Sequence, residues 1–299
     1  MKLPVFFCDD MVALTSSFSP SAGKPRAVVD DWLARGLAID LVRPTPVTVD
    51  DLGRAHDAGY VAGVLSGRIP NGFGNRSTAV AASLPFTSGA MLSAARHARA
   101  TRSIACAPCS GFHHAGWASA GGFCTFNGLM VAACALVAVD GVRSVGILDC
   151  DMHYGDGTDA ILTRLGLESR VVHFTAGAIY GRRDQARAFL DALPGVVRGM
   201  RRCDVILYQA GADPHVADPL GGFLDDAELR RRDEIVFETA REIAVPIAWN
   251  LAGGYQRDAA GGIGAVLAIH RATAEVAIET LGRWTGADEI NPRRQAARA

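Results

Sequence analysis

Asp149, Asp151 and His153 alternate directly after the apolar run Val145–Leu148. On an extended chain that spacing points all three side chains to one side. Three ionisable groups on one face of a buried strand are costly unless paired, and a bound cation removes that cost. Oxygen and nitrogen donors suit a divalent metal such as zinc. A plainer arrangement uses the same residues: a hydrogen-bonded core histidine beside two strand-end carboxylates. The rest of the sequence has to separate the two.

Three more groups with chemistry follow apolar runs in the same way. His113-His114 comes after Ser103–Ala107, Asp213 after Val205–Tyr208, and Tyr255 after Pro246–Leu251 and a Gly253-Gly254 pair. Each has a bland alternative: a loop histidine pair, a turn aspartate before Pro214, a packed ring at a flexible corner. Together they make a pattern, because ligands of open parallel sheets bind at the C-terminal ends of the strands.

The elements that must position these groups alternate. Strands are expected at Leu3–Phe7, Ser103–Ala107, Arg143–Leu148 (the central strand), Arg170–Phe174, Val205–Tyr208 and Pro246–Leu251. Helices are expected at Pro25–Arg35, from a Thr48 cap through Leu65, and at Thr87–Ala100, Asn127–Val137, Gly157–Leu165, Asp225–Ile243 and Ile263–Leu281. Pro70–Arg76 reads as a loop. This order predicts an α/β fold, a single-domain three-layer αβα arrangement around a mostly parallel central sheet. Residues 1–290 form one domain in this view, and the basic stretch 291–299 a frayed tail.

Five blocks resemble the zinc-dependent histone deacetylase and acetylpolyamine amidohydrolase family, which has the arginase–deacetylase fold. They are Gly111-Phe112-His113-His114-Ala115, Gly122-Phe123-Cys124-Thr125-Phe126-Asn127, the stretch Leu148–Thr158, Gln209-Ala210-Gly211-Ala212-Asp213, and Ala252-Gly253-Gly254-Tyr255. The resemblance runs from about Leu3 to Leu281. It implies Asp151, His153 and Asp213 as ligands of one Zn2+, with a position left open for water and substrate. It implies His114 as general base and then acid, oriented by Asp156, with His113 paired to Asp149 as an electrostatic partner. Tyr255 would donate a hydrogen bond to the oxyanion, carried to the metal by a flexible Gly253-Gly254 hinge. Gly122, Phe123 and Gly253 would line the substrate passage. A monovalent cation, K+, would be held by Asp149, Asp151, His153, Thr175 and Ala176.

Departures from the family pattern fall around these blocks. Tyr154 stands where many relatives have a second histidine. Thr175-Ala176-Gly177 replaces a Ser-x-His run, leaving Ile179 or Tyr180 to form one passage wall. The N-terminal loop carries Ser17-Phe18-Ser19-Pro20 instead of a His-Pro-rich segment. His215 and Asp218, just after Asp213, could reach the rim of the passage, but a solvated loop is the favoured reading for both.

Composition narrows the partners. With Lys+Arg 30 against Asp+Glu 31 the net charge is −1, which gives no bulk attraction to nucleic acid or anionic membrane. No apolar run approaches the roughly 18 residues of a membrane span. The seven cysteines are an odd count in mostly apolar surroundings, which suggests reduced thiols and a cytoplasmic setting. Cys106 and Cys109 form a C-x-x-C that reads as structural. The expected substrate is a small-molecule acyl amine or an acyl-lysine, and homo-oligomer formation is left open. Two other classes are weaker. A ureohydrolase needs paired Asp-x-His-x-Asp motifs for two metals, and a binding-only relative should have lost a ligand, a histidine or the tyrosine.

Overall fold

The computed structural model describes residues 1–284. The expected tail at 291–299 lies outside them. In chain order the elements are β1 (Leu3–Phe6), α1 (Lys24–Ala34), β2 (Ile39–Val42), α2 (Val49–Gly53), α3 (Ala58–Leu65), α4 (Thr78–Thr101), β3 (Ile104–Ala107), α5 (Gly128–Ala138), β4 (Val145–Asp149), α6 (Asp156–Leu165), β5 (Val171–Thr175), α7 (Ala186–Gly199), β6 (Val205–Gly211), α8 (Asp226–Glu242), β7 (Ile247–Ala252) and α9 (Gly264–Trp284).

Seven strands form one all-parallel sheet in the order β2-β1-β3-β7-β6-β4-β5. Every residue of β3, β4, β6 and β7 is buried, which is why these strands read as unbroken apolar runs rather than alternating ones. Two groups of helices flank the sheet. α4 and α5 pack together against β3, β7 and β4, while α7, α8, α9 and α1 pack successively on one another. No helix among the described residues is long and apolar enough to cross a membrane.

Three expectations need correction. The strand carrying the Asp149 motif is not central: β4 lies second from one edge, and β7 occupies the middle. The helix expected from Thr48 to Leu65 is two helices. Thr48 caps α2 through a reciprocal pair with Asp51, and Asp57 caps α3 by accepting from Tyr60 N at 2.9 Å. Between them His56 turns fully into the core. β2 and α7 were not foreseen. In α7 the buried positions Ala186, Phe189, Leu193 and Val197 keep helical spacing, but Pro194 and Gly195 interrupt the sequence pattern.

Candidate metal centre and its surroundings

β4 ends at Asp149, so Asp151 and His153 are not placed by strand alternation. Two successive side-chain turns fold the chain instead. Asp149 Oδ1 accepts from Asp151 N at 3.1 Å, and Asp151 Oδ1 from His153 N at 3.0 Å. These turns bring Asp151 and His153 onto Asp213, which sits two residues past β6. His153 Nδ1 lies 3.2 Å from Asp151 Oδ1 and 3.1 Å from Asp213 Oδ2. One donor atom from each residue falls within 4.8 Å of the other two.

The donor set tests well for a metal. Asp151 and Asp213 are buried carboxylates held side by side. Burial first, and then the Asp151 charge, raise the Asp213 carboxyl to about 7. The hydrogen bonds of Asp151 and Asp213 raise His153 to about 10. A divalent cation could take the place of protons there, and two oxygens with one nitrogen would leave a coordination position open.

Two histidine–carboxylate pairs stand beside the cluster. His113 Nδ1 meets Asp149 Oδ2 at 2.7 Å, and His113 Nε2 is 3.6 Å from Asp151 Oδ1. Burial opposes a charge on His113, but Asp149 and Asp151 outweigh it and raise the ring to about 9. Asp149 is itself fixed by Gln209, whose Nε2 donates to its Oδ1 at 3.1 Å. His114 is part-exposed, with Nδ1 2.6 Å from Asp156 Oδ1. Its pKa is lowered, by burial and then by His113, against the opposing pull of Asp156. The two rings are 4.0 Å apart, and the His114 ring is 5.9 Å from that of His153.

The loop bearing the histidines is tied down by Asn127. Its Oδ1 caps α5 through Met130 N at 3.1 Å, and its Nδ2 reaches Ala115 O at 3.3 Å and Thr158 Oγ1 at 3.0 Å. His56 supports this loop from below: its Nε2 accepts from Asn127 N at 2.8 Å, and its Nδ1 donates to Gly116 O at 2.9 Å. Gly122, at φ +50°, abuts the His114 ring, and Phe123 after it is also left-handed at φ +63°.

Tyr255 is buried. Burial first, and then the Asp213 and Asp151 charges, push its hydroxyl pKa far above the usual value, so the proton stays on oxygen. Its ring stacks on Phe18 and lies tilted against Phe123, each with centroids at 5.7 Å. The expected free hinge is not what the glycines provide. A Cβ at Gly253 would collide with the Asp213 carboxylate, and one at Gly254 would lie 2.7 Å from Val266 Cγ1. Lys24, fully buried, donates to Gly253 O and, at 3.0 Å, to Ser110 Oγ. The pair permits close approach within a clamped turn.

Other expected residues are placed as follows. Thr175 Oγ1 accepts from Gly155 N at 3.0 Å, and Ala176 O accepts from Ile179 N and Tyr180 N at 2.9 Å. Ile179 is 56% exposed, whereas Tyr180 packs on Phe189 and Phe223. Asp218 is not solvated but only 6% exposed. Phe18, from the short N-terminal loop, is the ring that joins Phe123 and Tyr255. Sequence patterning also gave no sign of Arg232. It is fully buried beside Asp233, and its Nη1 donates to Gly211 O at 2.5 Å and Cys150 O at 3.4 Å, pinning the ends of β6 and β4 together. All seven cysteines are free and buried.

Comparisons with known proteins bear on the family and the fold. The Histone deacetylase domain model matches residues 21–176. Histone deacetylase 2 of Arabidopsis thaliana is 30% identical over 172 residues, covering 50% of this chain and 44% of that protein. This chain thus spans less than half of that relative's length. The HDA15 HD domain superposes with a TM-score of 0.75 at 20% identity, over 94% of this chain and 90% of that one. An acetylpolyamine aminohydrolase from Burkholderia pseudomallei superposes with a TM-score of 0.68 at 19% identity, over 92% and 98%. At those identities the two structures share the fold, the arginase–deacetylase arrangement of a parallel sheet with flanking helices. With the domain model matching over half of its length, the chain belongs to the histone deacetylase domain family.

Proposed function

We propose that the protein is a zinc-dependent deacylase that hydrolyses the amide of an N-acyl amine, either an acyl-lysine or an acylated small amine. The observation that carries this reading is the convergence of Asp151, His153 and Asp213 on one point flanked by two Asp-tethered histidines. Asp151, His153 and Asp213 would hold the metal. When bound there, a divalent metal supplies Lewis-acid polarisation of the acyl carbonyl and a water of lowered pKa.

The chain's own residues supply the rest. His114, kept neutral by burial and by its neighbour, takes the proton of the attacking water and returns it to the leaving amine. Asp156, bonded to His114 Nδ1, selects the tautomer that leaves Nε2 free for this task. His113, held by Asp149 and drawn to its charged form, opposes the negative charge that develops nearby. Tyr255 donates its hydroxyl to the oxyanion. Phe18 and Phe123 give an apolar wall beside it, suited to an alkyl-amine chain, with Gly122, Gly253 and the exposed Ile179 as further lining. A K+ ion held by Asp149, Thr175 and backbone carbonyls of Asp151, His153 and Ala176 would stiffen the ligand turn.

The test is metal content together with turnover on acetyl-lysine peptide, acetylputrescine, acetylspermidine and longer acyl-lysines, repeated after chelation and after exchange of K+ for Na+. About one zinc per chain, with hydrolysis abolished by chelation and restored by Zn2+, is expected. A protein that binds no divalent metal would overturn the reading.

A further inference from the structure

Asp218 spends both carboxylate oxygens on backbone N–H groups. Oδ2 accepts from Tyr255 N at 2.8 Å, and Oδ1 accepts from Leu220 N at 3.0 Å. Its own segment is fixed too, since Asp218 N donates to His215 O at 2.9 Å and Gly221 N to Asp218 O at 3.0 Å. A carboxylate this buried carries a desolvation cost, which the two amide donors and the nearby Lys24 charge offset in part. The place of the bond gives that cost a use. β7 ends at Ala252, so the sheet no longer holds the chain at Tyr255. Gly253 and Gly254 follow in left-handed conformations, φ +51° and +85°, and Tyr255 N is the first amide after them. Lys24 holds the carbonyl of Gly253 on the near side of this turn, and Asp218 holds the amide on the far side. Asp213 and Asp218 lie five residues apart on the loop after β6.

Building on the deacylase reading, we propose that Asp218 is the positioning residue of Tyr255. It fixes the Gly253-Gly254-Tyr255 turn to the loop that carries the ligand Asp213, so that metal ligand and hydroxyl donor move as one frame. Asp218 touches neither substrate nor metal in this role. It acts through the backbone of Tyr255.

The test uses Asp218→Ala and Asp218→Asn in the full metal-loaded chain, each alone and combined with Tyr255→Phe. Asp218→Ala is expected to lower kcat by about 10- to 100-fold, the scale of a misplaced catalytic group, while KM and metal content hold. Asp218→Asn keeps one amide oxygen as acceptor and retains more turnover. In the Tyr255→Phe background Asp218→Ala should add no further loss, because the group it positions is gone. Hydrogen exchange gives a second readout that needs no activity. The Tyr255 amide should exchange faster in Asp218→Ala while the β4 and β6 amides keep their protection. Additive losses in kcat, unchanged protection at Tyr255, or a loss of protection spread over the whole sheet would each overturn the proposal. If the wild type hydrolyses no acyl amine, the deacylase reading fails, and exchange at Tyr255 still decides whether Asp218 holds the turn.

Discussion

Gly122→Ala separates the proton-transfer role proposed for His114 from the proposed metal site in one substitution. Gly122 sits at φ +50°, where an alanine costs roughly 1–2 kcal/mol of backbone strain. Its Cβ would also stand 2.9 Å from His114 Cγ and 3.1 Å from Nε2, and would overlap Cδ2. Carbon atoms settle at about 3.5–4.0 Å, so the ring has to retreat by about 1 Å. That movement strains the 2.6 Å contact with Asp156 and would take Nε2 away from the water it is proposed to deprotonate. Misplacement on this scale costs about 100-fold in rate, or about 2.7 kcal/mol of barrier. The proposed ligands Asp151, His153 and Asp213 are untouched. The expected outcome is kcat down about 100-fold with metal content unchanged. Gly141→Ala is the control. It carries the same left-handed strain at φ +65°, with nothing within 4 Å of its Cβ, and should lose a little stability and no activity. Steady-state kinetics, metal analysis and thermal melts on the three proteins complete the assay. A Gly122→Ala enzyme that melts like the Gly141→Ala control and turns over like the wild type would refute the role given to His114.

Four other outcomes follow from the same geometry. Tyr255→Phe should keep its metal and lose about 100- to 1,000-fold in kcat, the usual effect of removing one oxyanion donor, and full activity would exclude that role. The acid limb of kcat/KM should lie below the ordinary histidine value of about 6.5, because burial and His113 depress His114. Asp156→Asn removes a group that raises that pKa, so the limb should move lower still while kcat falls; an upward shift would contradict the assignment. His56, lowered to about 4 by burial, binds its proton in the unfolded chain but not in the fold between pH 6.5 and 4. Its contribution to stability is therefore present above about pH 6.5 and lost as the pH falls, by roughly 2 kcal/mol at pH 5, and a His56→Gln variant in denaturant titrations should lose that slope.

What was legible of the fold is what local pattern encodes. β4, β6 and β7 are buried on both faces, so their composition alone marks them. β2 is a four-residue edge strand with Asp40 and Leu41 turned to solvent, and so short and mixed a run gives no strand signal. Strand order is a different matter. The position of β4 beside the edge strand follows from which crossovers the helices make, and no window of sequence around Val145 contains that information.

The site divides along the same line. His113, His114, Asp151, His153, Asp213 and Tyr255 are visible because each follows an apolar run, at the strand ends where parallel sheets bind ligands. The structural roles of Gln209, Asp218 and Arg232 are invisible because their partners are remote backbone groups or a carboxylate on another strand. Arg232-Asp233 sits in the charged stretch Arg230–Glu234, which reads as a solvated helix face, yet both residues are buried. The Gly253-Gly254 pair shows why residue type alone misleads here. Two glycines in sequence suggest a joint that swings, since glycine visits the most backbone conformations. In the fold each glycine is there because a side chain would strike Asp213 or Val266, and charged groups hold the turn from both sides. A hydroxyl that must meet a developing charge gains more from being fixed beforehand than from freedom to move. Glycine is the residue that lets this turn pack tightly enough against the Asp213 carboxylate to be fixed.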